Sequence, residues 1–229
     1  MNFLDQKVLL TIAVGCIAVA VGWLLAQGTV LAKEWWNIRK LRRGLLDELE
    51  DIKEQMRHVE RIYARKLQVH SLRGIEPSAS VAIHNMFFRQ YFKDVFSHLN
   101  RKQRLSYQLI HASVDAFNKQ NEKFYDFTAE LFKKRDSKDK PADDGDVKVW
   151  GDQVIALYKN VMVVLWHIEF HLRNKHGPPY EFMGPTHETY VKFEEDLDQE
   201  VKRIIEGAKN IKRENFEKFY DEGLFKKKP

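Results

Sequence analysis

The 229-residue sequence lacks most of the residues and motifs that small domains use for disulfide bonds and metal sites. Its one cysteine, Cys16, excludes an intrachain disulfide and a structural zinc site built on thiolates. Glycine and proline number only 11 and 6, which favours long helices with short connections. The sequence has no phosphate-binding glycine loop, no serine nucleophile elbow and no His-Glu-x-x-His or Glu-x-x-His motif. These absences favour an all-α protein and predict no cofactor.

Charge is also absent from Val8 to Ala32, a run of 25 residues. As a helix this run exceeds the roughly 30 Å of hydrocarbon in a bilayer. Gln27 begins its weakest part, so we expect the core of a transmembrane helix at Val8–Ala26. Trp35 and Trp36 follow, and tryptophan favours the membrane interface, so the bilayer is the first predicted partner.

The direction of the predicted span follows from its flanking charges. Lys7 and Asp5 cancel before it, whereas after it one acidic residue, Glu34, opposes a basic cluster. The positive-inside rule then places the N-terminus outside and the C-terminal domain in the cytoplasm, at the inner membrane if the protein is bacterial. The predicted membrane-interface residues, which also suit anionic headgroups, are Lys33, Trp35, Trp36, Arg39, Lys40, Arg42 and Arg43.

A cleaved signal peptide is the competing interpretation of the same run. Val30-Leu31-Ala32 offers small residues of the kind that a signal peptidase requires. The apolar run is longer than the usual h-region, the preceding segment has little positive charge, and the following segment is basic. We therefore predict an anchor that is retained.

The sequence predicts three parts. The first, residues 1–32, contains the N-terminal tail and the transmembrane helix. Residues 33–72 form a basic juxtamembrane segment and a stalk helix from about 36 to 70. Its apolar residues recur in steps of four and three, the spacing of a coiled-coil seam, although the first helix of a bundle has the same pattern. These seam residues are Leu45, Leu49, Ile52, Met56, Val59 and Tyr63.

Residues 73–229 predict a mostly antiparallel helical bundle. Gly74 and Pro77 break the first helix, and Ser78 is a plausible N-cap for a second at about 79–99. A third follows a capping-box pair, Asn100 and Gln103, and continues to about 134. A charged loop at about 133–146 precedes a fourth helix at about 147–175 and a fifth at about 185–221.

Histidines supply the only weak signs of catalytic chemistry. His167 and His171 share a helical face and are weak candidates for metal ligands, with a further ligand from His111 or Asp115. We predict that they are ordinary core or surface histidines instead. An arginine shortly before a histidine resembles the active-site pairing of some helical ribonucleases. The two pairs are Arg65–His70 and Arg104–His111, and Lys66 and Leu105 replace the polar residue that usually follows the arginine.

Three functions follow from these patterns. The first is a non-enzymatic interaction or scaffold protein that associates with itself or with another protein through helical surfaces such as the seam. The second is an oligomerising effector that perturbs the bilayer, because Gly15 and Gly22 share a helical face and Gln27 can bond between helices. The third is a membrane-tethered ribonuclease or metal-dependent hydrolase. Basic residues are mixed with acidic ones, so we predict no nucleic-acid surface.

Overall fold

A computed structural model describes residues 3–77, 82–136, 143–174 and 185–211, with side chains at 10–77, 82–134, 143–174 and 187–211. The described residues form five α-helices and a short 3-10 turn, and contain no strand. The predicted all-α class is therefore confirmed. The elements are α1 (Phe3–Ser71), α2 (Met86–Val95), the 3-10 turn (Phe96–His98), α3 (Arg101–Asp136), α4 (Asp144–Arg173) and α5 (Pro185–Ala208).

Helix α1 joins the apolar run and the seam without a break. Its 69 residues span about 100 Å at the usual rise per residue. The predicted domain boundary at 32/33 lies inside this single helix. Its end is confirmed at the expected place, where Arg73 takes a left-handed conformation with φ 55° and the Gly74 amide donates to Val69 O at 2.9 Å.

The seam of α1 is covered by the chain's own helices. All six of its residues are at most 2% exposed and belong to one hydrophobic core with α3, α4 and α5. The sequence left open a self-associating stalk or the first helix of a bundle, and in the described structure other helices of the same chain cover this face. The six side chains therefore present no free face to a partner. The buried seam consists of Leu45, Leu49, Ile52, Met56, Val59 and Tyr63.

Helices α3 and α4 run in opposite directions. The Trp150 indole N–H donates to Thr128 Oγ1 at 3.2 Å, whereas at the other end His171 Nδ1 lies 2.8 Å from Ser106 Oγ. Thus early residues of α4 face late residues of α3. This pairing brings both ends of α4 into contact with polar groups of α3.

Helices α1 and α4 also run in opposite directions, and they form the most extensive helix pair. Arg57 donates to Glu169 at 2.6 Å, and the ring of His70 lies directly over Gly151. A Cβ at residue 151 would stand 2.0 Å from this ring, so the close approach requires glycine. This pair forms the centre of the core.

The second helix is shorter than predicted and begins at Met86 rather than near 79. Ahead of it, Ile83 exchanges two 2.9 Å hydrogen bonds with the side-chain amide of Asn118. Those bonds satisfy the backbone in an extended conformation, which competes with helix formation. The proposed cap Ser78 lies outside the described residues. Asn100 and Gln103 do form the predicted capping box, at 2.9 and 3.1 Å.

The later helices match the predicted positions within a few residues. Helix α3 extends to Asp136 and α4 begins at Asp144, so the predicted loop at 133–146 is shorter, and its centre at 137–142 lies outside the described residues. Helix α5 is described from Pro185 to Ala208. The predicted continuation to about 221 is wrong at residues 209–211, which form a turn closed by i to i−3 hydrogen bonds, and residues 212–221 lie outside the described part.

Candidate functional site

The first half of α1 exposes apolar side chains on every side. Leu10, Trp23 and Leu31 are 70%, 62% and 63% exposed, and an 18-residue window here has a mean hydropathy of 2.0 with none of it buried. Ordinary soluble proteins do not expose continuous apolar surface of this size. By length and composition, this is the described helix that can cross a membrane.

Aromatic and basic side chains follow directly on the same helix. The rings of Trp35 and Trp36 lie 6.3 Å apart, and the Arg39 guanidinium stands 5.3 Å from the Trp35 centroid. All seven predicted interface residues are exposed within about three turns of α1. The cluster consists of Lys33, Trp35, Trp36, Arg39, Lys40, Arg42 and Arg43.

A buried carboxylate marks the point where α1 enters the core. Glu48 is 8% exposed and accepts hydrogen bonds from the backbone N–H groups of Phe87 and Phe88, at 2.6 and 2.9 Å. These are unpaired donors at the start of α2, where a negative charge is favourable. Burial raises the pKa of Glu48, and the two backbone bonds oppose that rise. Glu48 therefore fixes the start of α2 against α1.

His111 lies beside this carboxylate in an aromatic setting. Its ring stacks on Phe88 with centroids 3.7 Å apart, and its Nε2 lies 3.8 Å from Glu48 Oε2. Neither ring nitrogen has a hydrogen-bond partner. Burial lowers the pKa of His111 to about 3, so the ring is neutral at physiological pH. A neutral ring of this kind packs as an aromatic residue and is poorly placed to transfer protons.

The two metal candidates on α4 make contacts with different helices. His171 pairs with Ser106 of α3, whereas the ring of His167 stacks on Tyr190 of α5, with centroids 5.8 Å apart. Burial lowers the pKa of each histidine to about 4. Within the described residues, no group of three His, Cys, Asp or Glu side chains could hold a metal ion.

The two Arg–His pairs are occupied by other contacts. Arg65 donates to Glu76 at 2.8 Å, while its predicted partner His70 packs over α4. The guanidinium of Arg104 lies 4.6 Å from the ring of Phe96, whereas the ring of His111 stacks on Phe88. The ribonuclease hypothesis stays a prediction, and cleavage assays of the purified protein on RNA test it.

The sequence analysis missed two buried charged residues that lie on α1 beside the seam. Glu48 and Lys66 each lie three residues after a seam residue, and that spacing could have identified both as inward-facing. Lys66 is 2% exposed, with its ammonium 5.5 Å from the Phe124 ring and 5.7 Å from that of Trp150. Burial lowers the pKa of Lys66 to about 8.

Comparison with known proteins gives no family for this chain. No protein-family model matches it, and neither curated proteins nor solved structures show a significant match. The function must therefore be argued from the geometry of the chain itself.

Proposed function

We propose that this chain is a single-pass membrane protein whose helix α1 crosses the bilayer at about Val8–Ala26 and holds a helical interaction domain at the inner face. The observation that carries the proposal is the change along one continuous helix. Its apolar side chains are exposed on all sides before Trp36 and buried on one face from Leu45 onward. Lipid is the environment that accommodates the first pattern.

The charges beside the span support the proposed orientation. Exposed basic residues flank the domain side of the run, which favours retention of that side in the cytoplasm. The aromatic pair Trp35–Trp36 stands between the run and most of these charges, where the interface of a bilayer would lie. The N-terminus then lies outside the cytoplasm. If the protein is bacterial, the membrane it spans is the inner membrane.

Extraction of membranes tests the anchor directly. We expect the full-length protein to remain in the pellet after washing with alkaline carbonate and to dissolve only with detergent. A variant that begins at Lys33 should be released by buffer alone, because it lacks the exposed apolar run. Release of the full-length protein by carbonate would contradict the proposal.

The interaction role requires a surface other than the buried seam. Helices α4 and α5 carry partly exposed aromatic side chains that contact one another. Trp166 lies at the centre of this aromatic patch, with ring centroids 5.2 Å from Phe170, 5.1 Å from Tyr190 and 5.9 Å from Phe193. Aromatic side chains are enriched at protein interfaces, so we assign self-association or partner binding to this patch.

Crosslinking in native membranes tests the role of the aromatic patch. Trp166→Ala should abolish crosslinked species, whereas Tyr125→Ala, which removes an exposed aromatic ring from α3, should leave them unchanged. Melting curves of both variants in detergent verify that each domain is folded. Crosslinks that survive in a folded Trp166→Ala variant would remove the patch as the interface.

An oligomerising membrane effector is the alternative function. Gly15 and Gly22 share a face of the anchor, and a Cβ at either position would meet nothing within 4 Å, so another helix can approach there. Clustered anchors would then disturb the bilayer. Inducible expression with a membrane-potential dye tests this function, and an intact potential at high expression would eliminate it.

A further inference from the structure

Helix α2 leads back toward the anchor, and its turn into α3 lies at the anchor end of the domain. Phe88 of α2 stacks on His111 of α3. Eight residues later, in the 3-10 turn that follows α2, Phe96 lies 4.6 Å from the guanidinium of Arg104, also of α3. Increasing residue numbers in α2 and its 3-10 turn thus meet decreasing numbers in α3. The two helices are antiparallel, and residues 96–101 form the turn between them.

Helix α3 runs in the same direction as α1, which fixes the level of this turn. His111 Nε2 lies 3.8 Å from Glu48 Oε2, and further along both helices the Tyr63 hydroxyl donates to Asn121 at 2.6 Å. His111 therefore lies near the level of Glu48. Arg101 precedes His111 by ten residues, which is about 15 Å closer to the anchor.

The same rise gives the distance from the turn to the predicted bilayer. Ala32, the last residue of the uncharged run, precedes Glu48 by 16 residues, which is about 24 Å along α1. With near-parallel axes, Arg101 stands about 9 Å beyond the level of Ala32 by the Glu48 contact and about 16 Å beyond it by the Tyr63 contact. This is the level of Arg39 to Arg43, so the turn lies beside the basic residues of α1 that are proposed to meet the headgroup region.

The side chains of this turn suit such a region. Phe96 is 40% exposed and Arg104 stacks on its ring, which joins an apolar group to a positive charge. The neighbouring charges are mostly basic, and one acidic residue, Asp94, interrupts them. Anionic headgroups attract basic side chains, and aromatic rings favour the interface. The basic residues of the turn are Lys93, Arg101, Lys102 and Arg104.

We propose that residues 93–104 form a second membrane contact, which docks on anionic phospholipid headgroups beside the anchor and fixes the tilt of the domain. The proposal rests on the proposed anchor, because it is α1 that brings the turn to the surface. Its occupant is the lipid bilayer, chosen for the basic and aromatic chemistry and for the level of the turn along α1.

A single-cysteine reporter in the full-length protein tests this contact. In a Cys16→Ser background, Ser97→Cys places a fluorophore on an exposed residue of the turn. The protein is reconstituted in phosphatidylcholine vesicles with and without phosphatidylglycerol, together with lipids that carry a quencher on the headgroup. We expect strong quenching only with the anionic lipid. A label at Glu130→Cys, late in α3, should not be quenched in either membrane.

Charge reversal gives the matched comparison. Arg101→Glu/Lys102→Glu should lower the ratio of docked to undocked domain by more than about tenfold, because each basic residue contributes to binding at an anionic surface. Lys119→Glu/Lys123→Glu makes the same change on exposed positions further along α3 and should leave quenching unchanged. Equal quenching in both lipid mixtures, or in both variants, would overturn the proposal.

Two further readouts separate the competing explanations. Flotation of the vesicles reports the anchor itself, so a protein that floats without quenching at residue 97 contradicts the second contact alone. A protein that does not float contradicts the proposed anchor as well. Energy transfer between labels at residue 97 in detergent, without anionic lipid, would assign the turn to a second copy and overturn the lipid contact.

Discussion

The two halves of α1 differ in where their apolar side chains point, although they belong to one helix. In the first half, Leu25 is 66% exposed and equivalent residues surround the axis. In the second half, Leu49 is fully buried, and its face of the helix alone is apolar. A helix that is apolar all round requires an apolar solvent, whereas a one-sided stripe requires a core. Under the proposed function one helix therefore serves two solvents, with the change between Trp36 and Leu45.

The largest effect should come from placing charge in the first half. Val14→Arg/Ile17→Arg puts two guanidinium groups at the middle of the predicted span, which costs about 5–7 kcal/mol of insertion free energy. We expect the protein to leave the membrane fraction. Ala112→Arg/Ala116→Arg, at exposed positions of α3, is the control and should remain in that fraction. Equal membrane retention of both variants would break the comparison.

A smaller effect separates identical substitutions in the two halves. Leu49→Ala should lower the free energy of unfolding of the domain by about 2–5 kcal/mol, because it leaves a cavity in the core. Leu25→Ala should change it by less than about 0.5 kcal/mol, since that side chain does not touch the domain. Denaturant unfolding in detergent, followed by the fluorescence of buried Trp150, measures both. Similar losses for the two variants would contradict the division of the helix.

Acid should destabilise the second half of the molecule through its buried histidines. The pKa values of His111, His167 and His171 fall to between about 3 and 4 in the folded protein, from 6.5. The unfolded chain therefore binds more protons between pH 6.5 and 4, and stability falls as the pH is lowered through that range. Glu48, whose pKa is raised, acts in the opposite direction and reduces the slope.

A single substitution sharpens this pH dependence. His111→Phe keeps the stack on Phe88 and removes two buried nitrogens that have no partner. We expect the variant to be more stable than the unmodified protein at pH 4.5, by more than about 1 kcal/mol, with a smaller difference at pH 7. Urea unfolding of both proteins at the two pH values measures this difference in unfolding free energy. An unchanged pH slope would show that His111 does not carry the effect.

The smallest effect should come from the water-facing side of the second half. Arg57 and Glu169 form a 2.6 Å ion pair that is partly exposed on both sides. Such pairs contribute at most about 1 kcal/mol, so Glu169→Gln should shift the unfolding free energy by less than that. Thermal unfolding at low and high salt measures it. A loss of several kcal/mol would mean that this surface is more enclosed than the structure indicates.

The repeating apolar pattern made much of this fold predictable. The spacing of Leu45 to Tyr63 identified a buried face, and the glycine after α1 identified its end. What covers that face depends on contacts far along the chain, which a local pattern cannot give. The predicted start of α2 was wrong for the same reason. Asn118, which is distant in sequence, forms hydrogen bonds with the backbone of Ile83 ahead of the helix.

The candidate site was predictable only where it is local. The interface cluster around Trp35 and Trp36 is contiguous in sequence, and the structure leaves all of it exposed. The hydrogen bonds between Glu48 and the start of α2 join residues about 40 positions apart, and no sequence motif predicts them. The basic turn near Arg101 comes beside the anchor only through the direction of α3.

Chemical labelling of the native cysteine tests the central claim most directly, namely that the first half of α1 lies in lipid. Cys16 is exposed on the helix in the structure, so water should reach it unless lipid covers it. In intact membranes it should resist a membrane-impermeant maleimide and react after detergent is added. In the Cys16→Ser background, Ser97→Cys should react only once the cytoplasmic side is opened. Rapid labelling of Cys16 in sealed membranes would contradict the account.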